Sequence, residues 1–496
     1  MISTPLPWDE AVLFLSECPH VQDLTAYVLS SSEISPLNNG NRSSWGQSEL
    51  SHMPQVLSNL ISSRGFRLHI PQIAFGVSLG SRAQYHLESI PAENLVSIKA
   101  VQANWQWNYA GGRSFNNVLA KCKNLEALTL VDTDLRFFRF HRGRLPPVRR
   151  LRLENCHRNY RPDHFNRIWD LSQLEDLQIG YEYLHSFLAN GRFTQVVGLK
   201  KLEIWKGVWK RPLWHPKPPS DISNMLEVVL GNSPNLERLE VGGCNVQSLP
   251  MAAIAKLAGL RVLKIRDFVE QWEVQRARGN IECEVFEDGS STQPQCSSNM
   301  QFPSIPLKSL ELIQQSCPFI TELDLGIDRE QNNVNASDYL YCCRYTNVPQ
   351  YVEYLNAFVK FEHLRFLTLR THTISDDFGV NIAGTDINLE SAKATMSHLQ
   401  THQSSGLLSK FTMIVAKRLG APLNIPPGLE CVNGAEKNLI ARRSFMFLSK
   451  GGDVQVEVVD REIPAISPKV SSDEQHIPLD IAEDAQFTSC KISNAS

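Results

Sequence analysis

The feature that most constrains this chain is a recurring spacing of apolar residues. In SPNLERLEVGGCNVQSLP, which runs from Ser233 to Pro250, Leu236, Leu239 and Val241 are separated by three residues and then two, and Cys244 and Val246 follow. The same beat returns at Leu125/Leu128/Leu130, Val148/Leu151/Leu153, Leu174/Leu177/Ile179, Leu199/Leu202/Ile204, Leu260/Leu263/Ile265, Ile320/Leu323/Leu325 and Leu364/Leu367/Leu369. Weaker copies stand at Val21/Leu24/Ala26 and Leu95/Ile98/Ala100. Residues two apart on a strand share a face, so the second and third apolar positions point the same way, and the first sits where the chain turns into the strand. One such unit cannot bury its face alone, so neighbouring units must stack. The small residue three past the strand (Thr133, Cys156, Cys244) falls where the chain bends and a compact side chain is needed.

The steps between first positions are 23 residues from Leu125 to Val148, 26 to Leu174, 25 to Leu199, and 24 from Leu236 to Leu260. Ahead of one strand, Ile222, Met225, Leu226, Val229 and Leu230 follow the helical i, i+3, i+4, i+7, i+8 pattern, with Ser220 or Asp221 as a cap and Gly231 as a stop. Cys18-Pro19, Ser233-Pro234 and Cys317-Pro318 each place a proline between a helix and the next strand, where it ends the helix. On these motifs the chain resembles the leucine-rich-repeat proteins, whose repeats are roughly 20–29 residues long. Its irregular repeats and long insertions are similar in style to fungal F-box/leucine-rich-repeat proteins. That resemblance implies an α/β solenoid, a horseshoe, that binds protein partners, and it points to substrate recognition for a cullin–RING ubiquitin ligase. The docking half of that role would need an F-box. Leu6-Pro7 and the apolar segment after it imitate the start of one, but the segment runs straight into the repeat at Val21 and Leu24, so no F-box is recognised.

The expected organisation is a solenoid over 1–380 with insertions near 31–65, 269–306 and 328–350. A C-terminal α/β cap or divergent repeats follow over 381–462, and a polar, disordered tail over 463–496. In the C-terminal part, 388–402 reads as a helix, and 410–419, 443–450 and 454–460 read as strands. Eleven cysteines are scattered without CxxC spacing and read as reduced thiols. A net charge of −3 gives no general case for nucleic acid or membrane. No signal peptide or apolar membrane span is visible, so a cytoplasmic or nuclear location is expected.

Motifs for chemistry are weak. Gly76–Gly80 (GVSLG) matches a nucleophile elbow around Ser78, but Pro71 interrupts the strand that should precede it, and a repeat loop is the expected reading. His398 and His402 share a helix face, yet Leu399 stands where a zincin has glutamate. The adjacent Cys342 and Cys343 suit neither redox chemistry nor zinc. No enzyme activity, cofactor or metal is therefore expected.

Binding signals are stronger. Nine arginines (136, 139, 142, 144, 149, 150, 152, 158 and 161) cluster around two strands, and Trp205, Trp209 and Trp214 alternate with Lys206, Lys210 and Arg211. Arginine beside exposed tryptophan is the composition of a binding hot spot. The expected partner-binding residues are Arg150, Arg152, Asp176, Lys201, Glu203, Trp205, Trp209, Trp214, Arg238 and Glu240. All ten lie on the outward face of the strands or in the loop after Trp205. Along that face the charge reads basic first and acidic near 322–324, which suits a protein partner with patterned charge. The alternative reading is an RNA-binding repeat protein that uses the arginine and tryptophan clusters.

Overall fold

A computed structural model describes residues 8–18, 20–25, 55–75, 90–102, 109–131, 133, 145, 147–154, 156, 170–181, 183–184, 196–205, 222–242, 246, 249–266, 305–327, 349–372, 387–403, 408–416, 439–450 and 453–463. They fall into two compact units, one ending at Leu199 and the other beginning at Lys200.

The first unit opens with α1 (Trp8–Glu17), β1 (Asp23–Thr25), α2 (Gln55–Arg64), β2 (Arg67–Phe75), a short turn of 3₁₀ helix over Ala92–Asn94 and β3 (Leu95–Gln102). It continues with α3 (Tyr109–Lys121), β4 (Ala127–Val131), β5 (Arg150–Glu154) and β6 (Asp176–Gly180). The strands are parallel and neighbours in sequence are neighbours in the sheet. Register carries the apolar beat across the unit. Ile98 faces Leu128, Leu128 faces Leu151 and Leu151 faces Leu177, all sealed from solvent. Each such side chain contributes about 1.5–3 kcal/mol.

The second unit contains β7 (Lys201–Trp205), α4 (Ile222–Gly231), β8 (Arg238–Gly242), α5 (Met251–Ala255), β9 (Val262–Arg266), α6 (Leu307–Ser316) and β10 (Glu322–Gly326). Then come α7 (Pro349–Val359), β11 (Phe366–His372), α8 (Ile387–His402), β12 (Lys410–Ala416), β13 (Leu439–Lys450) and β14 (Asp453–Ile463). Strands β7 to β12 are parallel, whereas β13 and β14 close the unit as an antiparallel hairpin on β12. One inward row runs Leu202, Leu239, Leu263, Leu323, Leu367, Phe411 and Phe447 across seven strands, and all seven are buried. The fold is α/β, with mostly parallel strands.

The first residue of each beat is buried at the turn, as the spacing required: Leu125, Val148, Leu174, Leu199, Leu236, Leu260, Ile320 and Leu364 are at most 2% exposed. The backbone there repeats one device. The carbonyl just before a strand accepts two consecutive N–H groups from the next repeat: Glu126 takes Arg149 and Arg150, Arg149 takes Glu175 and Asp176, and Arg261 takes Thr321 and Glu322. The small residues past the strands are buried too. The Cys156 thiol donates to the Leu130 carbonyl of the preceding repeat, and the Thr133 hydroxyl donates to Val131. Cys244 lies outside the described residues. Cys317, at the end of α6, donates to the carbonyls of Ile254, Ala255 and Leu257, and Cys122 donates to Val118.

Residues 55–64, within the expected insertion near 31–65, form α2, in which Leu57 and Ile61 stand one turn apart and both are buried. One expectation needs correction. Pro71 does not break the strand before Gly76. Strand β2 runs through it, and the register against β3 slips between Ile70 and Ile73, so the missing N–H falls at a bulge where no ladder bond is required. Helix α4 follows its expected period, with Ile222, Met225, Leu226, Val229 and Leu230 buried.

Candidate functional site

Strand pleating sends every second side chain to the face opposite the apolar rows, and parallel register lines these side chains up across repeats. In the second unit the first outward row is Lys201, Arg238, Val262, Glu322, Phe366 and Lys410. The second row is Glu203, Glu240, Lys264, Asp324, Thr368 and Thr412. Trp205, Gly242 and Arg266 begin a third row, and Arg370 extends it on β11. Of this third row, sequence reasoning picked out Trp205 and missed Arg266 and Arg370. The signal was present: the alternation that sends Val262 and Lys264 outward continues two residues further.

Most of the charged residues in these rows pair with one another. Lys201 Nζ lies 3.4 Å from Glu203, Arg238 pairs with Glu240, and Lys264 Nζ lies 2.7 Å from Glu322 and 3.9 Å from Glu240. Asp324 is held from both sides. Arg266 Nε donates to Oδ2 at 2.8 Å, Arg370 Nε donates to Oδ1 at 2.6 Å, and Arg370 Nη2 donates to Oδ2 at 3.0 Å. The pairs are layered. The Glu240 and Asp324 side chains are 4% and 5% exposed, whereas Arg238 and Arg266 keep 33% and 28%. In these two pairs the carboxylate is the floor and the arginine lies over it, whereas in the Lys264–Glu322 pair the order is reversed, with lysine 12% and glutamate 28% exposed.

This layering corrects two expectations. Glu240 is not available to a partner, because Arg238 and Lys264 cover it. The acidic patch near 322–324 is not presented as such, because Asp324 lies beneath two guanidinium groups. Burial pushes the Asp324 carboxyl up to about 6 against the pull of Arg266 and Lys264, so it is ionised at neutral pH. Burial alone would raise Glu240 as well, but Lys264 and then Arg238 outweigh it and hold that carboxyl below its ordinary value.

Trp205 lies across Gly242, where any Cβ would overlap the indole. The Arg266 guanidinium stands over the same ring, 5.3 Å from its centroid. A glycine on β8 therefore makes room for the ring, and the ring supports an arginine from β9.

In the first unit, Arg152 Nη2 reaches Asp176 at 3.4 Å, as a balanced face requires. Arg150 is exposed and has no ionic partner among the described residues. Across β1 to β3, Arg67 bridges Asp23 and Glu126, and the His69 ring links Asp23 Oδ1 at 3.1 Å to Ser97 Oγ at 2.8 Å. This Asp–His–Ser chain sits on three neighbouring strands whose pairing engages the backbone N–H groups beside Ser97, so no oxyanion donor adjoins it among the described residues. It reads as cross-strand polar packing.

His398 and His402 stack at 4.2 Å between ring centroids. His402 Nδ1 is bonded to the His398 carbonyl and His398 Nε2 to Asn356. Burial, and then the neighbouring His402, hold His398 below its ordinary value. Among the described residues no group of three His, Cys, Asp or Glu side chains is placed to hold a metal ion. Trp209, Trp214, Ser78, Cys342, Cys343 and the arginines at 136, 139, 142, 144, 158 and 161 lie outside the described residues.

Compared with known proteins, the chain matches no family model and no curated protein.

Proposed function

We propose that this chain is a leucine-rich-repeat solenoid that recognises a protein partner through the outward face of its strands and has no catalytic role of its own. The observation that carries the reading is the in-register set of outward rows, which keeps charged side chains from successive repeats side by side, with Arg238 and Arg266 more exposed than the carboxylates they cover. Such a surface offers spaced, fixed donors to a patterned partner and gives specificity through complementarity. The buried three-beat turn and the shared carbonyl at the entries of β5, β6 and β8 to β12 support the repeat assignment. Substrate recognition for a cullin–RING ubiquitin ligase, in the cytoplasm or nucleus, is the biological setting the resemblance favours.

The test is a native pull-down with the intact chain, with and without RNase, comparing wild type with Arg150→Glu/Arg152→Glu. Captured proteins should fall about tenfold or more in the double variant and be indifferent to RNase. Capture that survives the charge reversal would remove the first-unit face from the proposal. Capture that vanishes with RNase would replace protein recognition by RNA binding. Cullin–RING subunits among the captured proteins would support the ligase setting.

A further inference from the structure

We infer that Arg266 anchors a carboxylate-binding subsite and that the partner taken up on this face presents an acidic segment rich in Asp or Glu. The inference rests on the protein-recognition reading above and gives that partner a chemical class.

Arg266 is fixed in place but not used up. Its Nε is engaged by Asp324 Oδ2 at 2.8 Å, and its guanidinium stands 5.3 Å from the centre of the Trp205 ring. Its two terminal nitrogens have no partner among the described residues, and the side chain keeps 28% of its surface in solvent. The far edge of a guanidinium carries two parallel N–H groups that match the two oxygens of a carboxylate. The carboxylates nearby are engaged elsewhere. Glu240 is taken by Arg238, Glu322 by Lys264, and Asp324 is shared with Arg370. Among the described residues no carboxylate is left for this edge, so it is open to an acid presented by a partner.

The orientation is already set before a ligand arrives, because Asp324 pins one edge and the indole backs one face. A long, flexible side chain ordinarily loses rotamer freedom on binding, and here the fold has removed most of that loss. Gly242 belongs to the same device. Its lack of a Cβ lets Trp205 lie close to β8 and reach Arg266 on β9.

The charge pattern favours an acidic protein segment over a nucleic-acid strand. Six cations (Lys201, Arg238, Lys264, Arg266, Arg370 and Lys410) stand among four anions (Glu203, Glu240, Glu322 and Asp324), so the face has two cations in excess rather than a continuous basic track. Binding to a phosphodiester backbone draws on many uncompensated cations. The indole that could stack on a base is already engaged by Arg266 and lies against Gly242.

The test is fluorescence anisotropy at low salt with the full chain and a short labelled peptide of alternating Asp and Glu. Its Asn/Gln twin and a single-stranded RNA of equal charge are the comparison probes. The acidic peptide should bind and the twin should not. Arg266→Gln should weaken binding about tenfold, and Arg266→Lys should weaken it less, because charge remains while the fork is lost. Gly242→Ala alters no charge, yet it should weaken binding several-fold by displacing the indole behind Arg266. Equal peptide affinity in Arg266→Gln, or RNA bound more tightly than peptide through the same residue, would overturn the inference. So would failure of the peptide to bind at all. The pull-down separates this outcome from the broader reading: protein partners retained by Arg266→Gln but lost by Arg150→Glu/Arg152→Glu would leave protein recognition standing without this subsite.

Discussion

Asp324→Ala is expected to destabilise the second unit by roughly 3 kcal/mol at neutral pH, the low end of the cost of breaking a buried ion pair. The carboxylate is almost fully covered, and its loss would leave Arg266 and Arg370 facing each other across β10 with their shared counter-ion gone. The low end applies because both guanidinium groups keep some solvent, Arg266 more than Arg370. Urea unfolding followed by circular dichroism measures it, and a cost under about 1 kcal/mol would show that the two arginines simply swing out to water.

The pH dependence gives a second handle on the same residue. In the fold the Asp324 carboxyl titrates at about 6. In the unfolded chain it titrates near 3.9, so between about 4 and 6 the folded state holds a proton that the unfolded state has released. Acidification through that window therefore adds stability through this group, and the advantage of wild type over Asp324→Ala is expected to be larger at pH 5 than at pH 7. Glu240 runs the other way. Its carboxyl is held low in the fold, so its contribution is complete above the unfolded value of about 4.3 and fades as pH falls through the lower folded value. Two acids beneath one cationic layer thus respond to acid with opposite signs, because Asp324 is dominated by burial and Glu240 by its cationic neighbours.

Phe411→Ala is expected to cost about 3–5 kcal/mol and to loosen the C-terminal hairpin before the rest of the unit. Phe411 is fully buried and pairs in register with Phe447, their rings 5.6 Å apart, so with the buried Met413–Phe445 pair it forms the core contact between the last parallel strand and the antiparallel pair that follows. Hydrogen exchange should show faster opening of β13 and β14 in the variant, with β8 and β9 changed little. Val456→Ala on β14 serves as the control. That valine is 43% exposed, and its loss should stay within about 0.5 kcal/mol. Equal effects of the two substitutions would mean that the hairpin is not held by its aromatic contact.

The rows of Leu, Ile and Val were legible in the sequence because the constraint is local. Three apolar positions within six residues fix a turn, a strand and its buried face. Ion pairing was not legible, since Arg266 meets Asp324 across 58 residues and the contact depends on register set by everything between them. The same gap explains why Glu240 read as a partner-binding residue: its outward position was correct, but the side chains that fold over it come from Arg238 and Lys264. Strand β2 was hidden by Pro71, because a proline argues against a strand unless a bulge absorbs it, and the bulge appears only once the β3 register is known. The strands at 443–450 and 454–460 were visible by composition, yet nothing in their composition announced that they would pair antiparallel.

The buried thiols make the chain its own strain gauge. Burial raises Cys122 to about 12 and Cys317 to about 11, so neither holds appreciable thiolate at neutral pH. An alkylating reagent would reach them only when the surrounding repeat opens, while the half-exposed Cys18 reacts from the folded state. Cys122 and Cys156 report on one unit and Cys317 on the other. Mapped residue by residue, their labelling rates would show in which unit opening begins and whether a bound partner suppresses it there.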